Sequence, residues 1–210
     1  INENMLTEIE VGHEDYDVVC PSEYIIERML RRQLLQKIDT LDFARTSTPN
    51  NLSNVSPWVI GMFEQMSETE TVSDYAVGYM WGTTGLLYNR AYVSDDEVES
   101  WSALQNPRFQ QRIYVKDAFR DMYSVLICAA RYQDILEGTV TRNQLATDLT
   151  DTNIKAVEDY LLASKPQIAG WEADFGKERM CQGKVWLNAT WSGDAQWAID
   201  EEEEGVDLAY

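Results

Sequence analysis

The stretch Trp191-Ser192-Gly193-Asp194-Ala195 sets an indole and a carboxylate close together where a predicted strand over 185–190 gives way to a predicted helix. The indole face attracts cations through its ring quadrupole and the carboxylate attracts them through charge. Ligands in open α/β sheets bind beyond the carboxyl ends of strands, so this pair points to an organic amine. Two other junctions have the same form. A predicted strand over 16–20 runs through Pro21 into Ser22 and Tyr24, and a predicted strand over 113–116 runs through Asp117 and Arg120 into Asp121. Each residue alone has a plainer use: Ser22 as a helix N-cap, Tyr24 as packing, Asp121 and Asp194 as acids favoured in a first helical turn. Capping explains less readily why all three junctions carry groups suited to one amine.

Catalysis is the competing chemistry. Asp121 and Asp194 could serve as a general acid and base if their carboxyls faced each other at about 5 to 9 Å, as in glycoside hydrolysis. A nucleophilic triad is not assembled, because the single histidine, His13, lies beside Gly12 and away from the candidate residues. Gly-rich phosphate loops are absent. The cysteines, Cys20, Cys128 and Cys181, lie far apart in sequence and lack metal-ligand spacing, so neither a metal nor a cofactor is expected.

The elements that must position these residues alternate strand with helix. Ile25, Ile26, Met29, Leu30 and Leu34 recur at helical spacing after Pro21, and a short helix over 4–10 closed by Gly12 precedes the strand at 16–20. Residues 40–74, rich in Thr, Ser, Asn and Pro, read as a long surface excursion with a helix near 58–66. Residues 75–89 read as extended and aromatic. Gly78, Gly82 and Gly85 there mark either a bent segment crossing between lobes or, slightly preferred, a hairpin. A helix follows over 123–130, one or two amphipathic helices over 143–163, and a helix from Ser192 to the glutamates 201–204. The last residues, 206–210, resemble a strand cut short. This alternation argues for a parallel α/β architecture.

The chain has 210 residues, 36 acidic against 17 basic, for a formal charge of −19. That charge disfavours nucleic acid and anionic lipid and attracts cationic solutes, although many proteins are acidic for solubility alone. No apolar run of about 18 residues is present to cross a membrane.

Four segments in register, Tyr16-Asp17-Val18-Val19-Cys20-Pro21-Ser22-Glu23-Tyr24, Leu34-Leu35-Gln36-Lys37-Ile38-Asp39, Tyr79-Met80-Trp81-Gly82-Thr83-Thr84-Gly85 and Trp191-Ser192-Gly193-Asp194-Ala195, closely resemble the spermidine/putrescine-binding proteins of bacterial ABC importers. The resemblance implies an α/β, two-lobed periplasmic-binding-protein fold of type II form, incomplete at both ends, with 1–81 part of lobe one and 82–210 most of lobe two. It implies a polyamine held between the lobes by Ser22, Tyr24, Asp121, Trp191 and Asp194, no catalysis, and a membrane permease as partner. It further implies a periplasmic or extracellular location, with any lipid anchor on a segment outside these residues. Ala118-Phe119 ahead of Arg120-Asp121, and Ala173 near a position where some relatives place serine, depart from the pattern and leave the length of the substrate open. A related solute-binding chain for another ligand, or one without ligand affinity, is the alternative.

Overall fold

The computed structural model describes residues 2–12, 14–38 and 51–210. His13 and most of the first part of the Thr/Ser/Asn/Pro excursion lie outside the described residues. The chain divides into two compact units, Ile1–Trp81 and Gly82–Tyr210.

The first unit is helical where it is described. Helix α1, Asn2–Thr7, passes into a π-helical turn, Glu8–Gly12. Helix α2, Glu23–Arg31, carries Ile25, Ile26, Met29 and Leu30 as a broad apolar stripe, because neighbours at helical spacing fall on one face. One side of that stripe packs Ile25 and Met29 against Leu6. The other packs Ile26 and Leu30 against Val72. Helix α3, Pro57–Glu64, starts with proline at its first position, where the missing N–H costs no helical bond. The strand expected at 16–20 is not formed: the segment has no ladder partner among the described residues, and an apolar run becomes a strand only beside another.

The second unit holds one five-stranded sheet of order β3-β2-β4-β1-β5. Its strands are β1, Thr84–Asn89; β2, Ile113–Lys116; β3, Ile168–Glu172; β4, Leu187–Trp191; and β5, Leu208–Ala209. Strand β2 runs parallel to β3 and β4, whereas β1 runs antiparallel to β4 and β5. The sheet is therefore mixed, which corrects the parallel expectation. The hairpin expected within 75–89 is also replaced, by a single strand whose partners come from far along the chain. Glycine is needed in β1: a Cβ at Gly85 would lie 2.6 Å from the Tyr210 ring.

Helices cover both faces. On one lie α4, Phe119–Ala130, then α5, Tyr132–Leu136, α6, Arg142–Thr147, and α7, Asp151–Ser164. Met122, Tyr123, Leu126, Ile127, Leu145 and Val157 from these helices pack on Ile113, Val115, Leu187 and Ala189 of the sheet. On the other face lie α8, Gly176–Cys181, and α9, Ser192–Asp200, with Met180, Ala195 and Ala198 packed on Leu87 and Leu208. Helix α9 ends at Asp200, so the glutamates at 201–204 follow the helix instead of extending it as expected. Four like charges in a helix's last turn oppose the macrodipole.

Candidate functional site

The parallel run of β2, β3 and β4 brings three strand ends, Lys116, Glu172 and Trp191, to one edge of the sheet. Helices α4, α8 and α9 all begin near that edge, so the first turns of α4 and α9 deliver Asp121 and Asp194 to it. Two of the anticipated residues meet directly: Trp191 Nε1 donates a hydrogen bond to Asp121 Oδ2 at 2.8 Å. Trp191 itself is 37% exposed.

Asp194 is differently engaged. Lys116 Nζ donates to its Oδ2 at 2.8 Å, and Lys177 Nζ donates to its Oδ1 at 3.0 Å. Burial works to raise the Asp194 pKa, but the hydrogen bonds and charges of Lys116 and Lys177 outweigh it and hold the carboxyl below its ordinary value. The Lys177 ammonium is raised, chiefly by its hydrogen bond to Asp194. Asp121 and Asp194 thus belong to helices on opposite faces of the sheet and do not share a partner. Trp191 stands between them, bonded to one and covering the ammonium that binds the other.

Lys116 was not anticipated as a site residue. Its side chain is 1% exposed, and its ammonium lies 4.1 Å from the centre of the Trp191 ring. It also lies 3.3 Å from Glu172 Oε1, close enough for charge attraction but without hydrogen-bond alignment. Glu172 Oε2 accepts from the Gly176 backbone N–H at 3.1 Å, so the first residue of α8 fixes this carboxylate. The polar lining continues below, where Asn188 and Thr190 project from β4 on the same face as Tyr114 and Lys116, buried and with unpaired side-chain polar atoms. A lysine closing a short strand has no periodic signature, and nothing in the spacing of 113–116 shows that its ammonium folds beneath an indole seventy-odd residues later in the chain.

Ser22 and Tyr24 lie in the first unit, at the start of α2. Asn2 Nδ2 donates to Ser22 Oγ at 2.8 Å, and the Tyr24 hydroxyl donates to Glu3 Oε1 at 2.7 Å. The Tyr24 bond is the main reason the Glu3 carboxyl is held below its usual value. Sequence spacing had not placed a carboxylate beside these hydroxyls.

A cavity of about 600 Å³ lies elsewhere in the second unit, between α4, α7 and β3. Its walls are mainly apolar, including Phe119, Tyr123, Ile154, Leu161 and Trp171, with Glu158 and Lys165 as its charged groups. A small cation would lose its hydration in this cavity with little return from its mainly apolar walls.

Two helix-covered faces and a polar, partly aromatic carboxyl edge define an α/β fold of the kind found in periplasmic binding proteins. The chain belongs to the bacterial extracellular solute-binding protein family, whose model matches residues 16–196. It is 25% identical over 195 residues to a spermidine/putrescine-binding periplasmic protein of Escherichia coli K12, a match covering 92% of this chain and 49% of that protein. It is 24% identical to a putrescine-binding periplasmic protein of Pseudomonas aeruginosa, covering 97% of this chain and 52% of the other. The chain therefore spans about half the length of these curated relatives. The fold is shared with a solved putative spermidine/putrescine transporter protein from Listeria monocytogenes, with TM-score 0.77, 24% identity and 99% of this chain matched to 57% of that one. A lipoprotein of Treponema pallidum gives TM-score 0.74 at 19% identity, covering 99% of this chain and 59% of its own.

Proposed function

We propose that the full-length protein is an extracytoplasmic receptor that captures a polyamine-like cation and delivers it to the membrane permease of an ABC importer, without chemical change to the ligand. The observation that carries this reading is the Trp191 indole hydrogen-bonded to Asp121 at the carboxyl edge of the sheet. An exposed aromatic face beside a carboxylate offers an ammonium both stacking and charge. The relatives named for spermidine and putrescine support the same ligand class. In the first unit, Ser22 and Tyr24 are proposed as further ligand contacts.

Within the second unit, Asp121 and Trp191 are the proposed direct contacts, and Asp194 acts by holding Lys116 and Lys177. A carboxylate-pair hydrolase is not favoured. The two carboxylates come from helices on opposite faces of the sheet and are bound to different groups, Asp121 to the Trp191 indole and Asp194 to two ammoniums that also disfavour it as a general acid. The test is calorimetric titration of the full-length protein with putrescine, spermidine, an amino acid and a neutral sugar. Saturable binding of the amines, weakened in Asp121→Asn, with the amines recovered unchanged, is the expected result. Binding of another solute with no response to any amine would overturn it.

A further inference from the structure

Lys116 meets every requirement of an amine bound at this edge. Its ammonium stacks on an indole at 4.1 Å, donates to Asp194 at 2.8 Å and faces Glu172 at 3.3 Å, all while nearly removed from solvent. An alkylammonium entering from outside would seek the same ring face and the same two carboxylates. We propose that Lys116 is the specificity-determining residue of the site, a resident amine that fills the inner ammonium position and leaves an incoming ligand only Asp121 and the outer face of Trp191. The proposal rests on the amine-capture reading.

Charge makes the consequence definite. Of the carboxylates at this edge, Glu172 and Asp194 are engaged by Lys116, and Asp194 by Lys177 as well, whereas Asp121 takes a neutral indole donor. Asp121 is thus the carboxylate at this edge left for a ligand ammonium. A diamine end group carrying a second, closely spaced charge gains nothing further from Asp194. Selection for ligand length is then left to contacts away from this edge. A lysine serving only as a structural counter-ion would share the burial, the ion pairs and the vacated position, but its removal would leave putrescine affinity unchanged.

Putrescine affinity separates the two, and chemical rescue shows whether the vacated position takes an amine. Lys116→Ala in the full-length protein removes three methylenes and the ammonium, a volume matched by propylammonium. Millimolar propylammonium chloride should raise the Tm of Lys116→Ala saturably by several degrees, with the parent protein unmoved and with 1-propanol and propionate ineffective. The same variant should bind putrescine at least about tenfold more tightly than the parent, because an amine can now reach Asp194 and Glu172. Where the alanine variant fails to fold, Lys116→Met keeps the volume of the stem and removes only the charge. It should bind putrescine about threefold more tightly, through Glu172 left without its counter-ion and Asp194 left with Lys177 alone. Rescue by propanol equal to that by propylammonium, unchanged putrescine affinity in the folded variant, or a crystal structure of the parent with a putrescine nitrogen in the Lys116 position would overturn the proposal. Absence of polyamine binding in every protein, with propylammonium rescue intact, would overturn the capture reading alone and leave Lys116 established as the occupant of an amine position.

Discussion

Asp121 and Asp194 look equivalent in the sequence, each an acid in the first turn of a helix that follows a strand, and they differ in what surrounds them. Asp194 carries two lysine ammoniums and Asp121 a neutral indole donor. A ligand ammonium about 4 Å from a carboxylate gains roughly 4 kcal/mol at an intermediate effective dielectric before desolvation, and stacking on an indole about 0.5 to 2 kcal/mol. Asp121→Asn should therefore weaken polyamine binding more than Trp191→Leu, and titration calorimetry on the two variants checks the order. Asp194→Asn should act mainly on stability. It leaves the buried Lys116 with Glu172 as its remaining charge partner, and breaking one side of a buried pair costs about 3 kcal/mol or more. Urea denaturation should show that loss in Asp194→Asn, and the double variant Lys116→Met/Asp194→Asn should lose less than the sum of the two single variants, because the Lys116–Asp194 bond is broken once. Additive losses would mean that the pair is not coupled.

At the scale of elements, what was legible followed from periodicity, and what was not depended on distant partners. Helix α2 was readable from Ile25, Ile26, Met29 and Leu30, and α7 from its amphipathic run, because each stripe is local. Strand β3 was not, since Ile168-Ala169-Gly170-Trp171-Glu172 has a glycine and an alanine where strand formers would be expected, and its pairing with β2 supplies the order. The segment at 16–20 failed in the opposite sense: strong β formers without a neighbour among the described residues. Of the candidate site, Trp191 and Asp121 were legible as residue types at strand ends, but their hydrogen bond was not, nor was Lys116 beneath the ring. Close contacts between elements give two further expectations. A Cβ at Gly176 would lie 2.4 Å from Asn188 Nδ2 and 2.6 Å from Glu172 Cδ, both buried. Gly176→Ala should destabilise the protein by about 1 to 3 kcal/mol, measured by urea denaturation, and a neutral result would show that α8 can shift. In the capping box at Ser94, Glu97 is pulled from 4.5 to about 2, first by its hydrogen bond with Arg108 and then by the Ser94 backbone. A depressed folded pKa contributes stability that is full above the unfolded value and is lost as pH falls through the folded one. The Tm difference between the parent and Glu97→Gln should thus shrink as pH falls from 4.5 to about 2.

At the scale of the whole molecule, a formal charge of −19 acts on folding and on capture with opposite signs. Excess carboxylates repel one another in the compact state and lower its stability, while the same field draws cations toward the surface and speeds their association. Raising sodium chloride from about 10 mM to about 150 mM shortens the screening length from roughly 30 Å to 8 Å, which reaches both effects. The ion pairs at the strand edge respond least, because Lys116 is buried and Asp194 nearly so. Over that salt range the Tm of the ligand-free protein should rise, while affinity for putrescine, which carries two positive charges, should fall severalfold, mostly through slower association. The butylammonium ion, with one charge, should lose less. Thermal melts and stopped-flow binding in the same buffers read the two responses side by side. A fall in Tm with added salt would show that local ion pairs outweigh the net charge, and a putrescine association rate indifferent to salt would remove the field of the acidic surface from the account of capture.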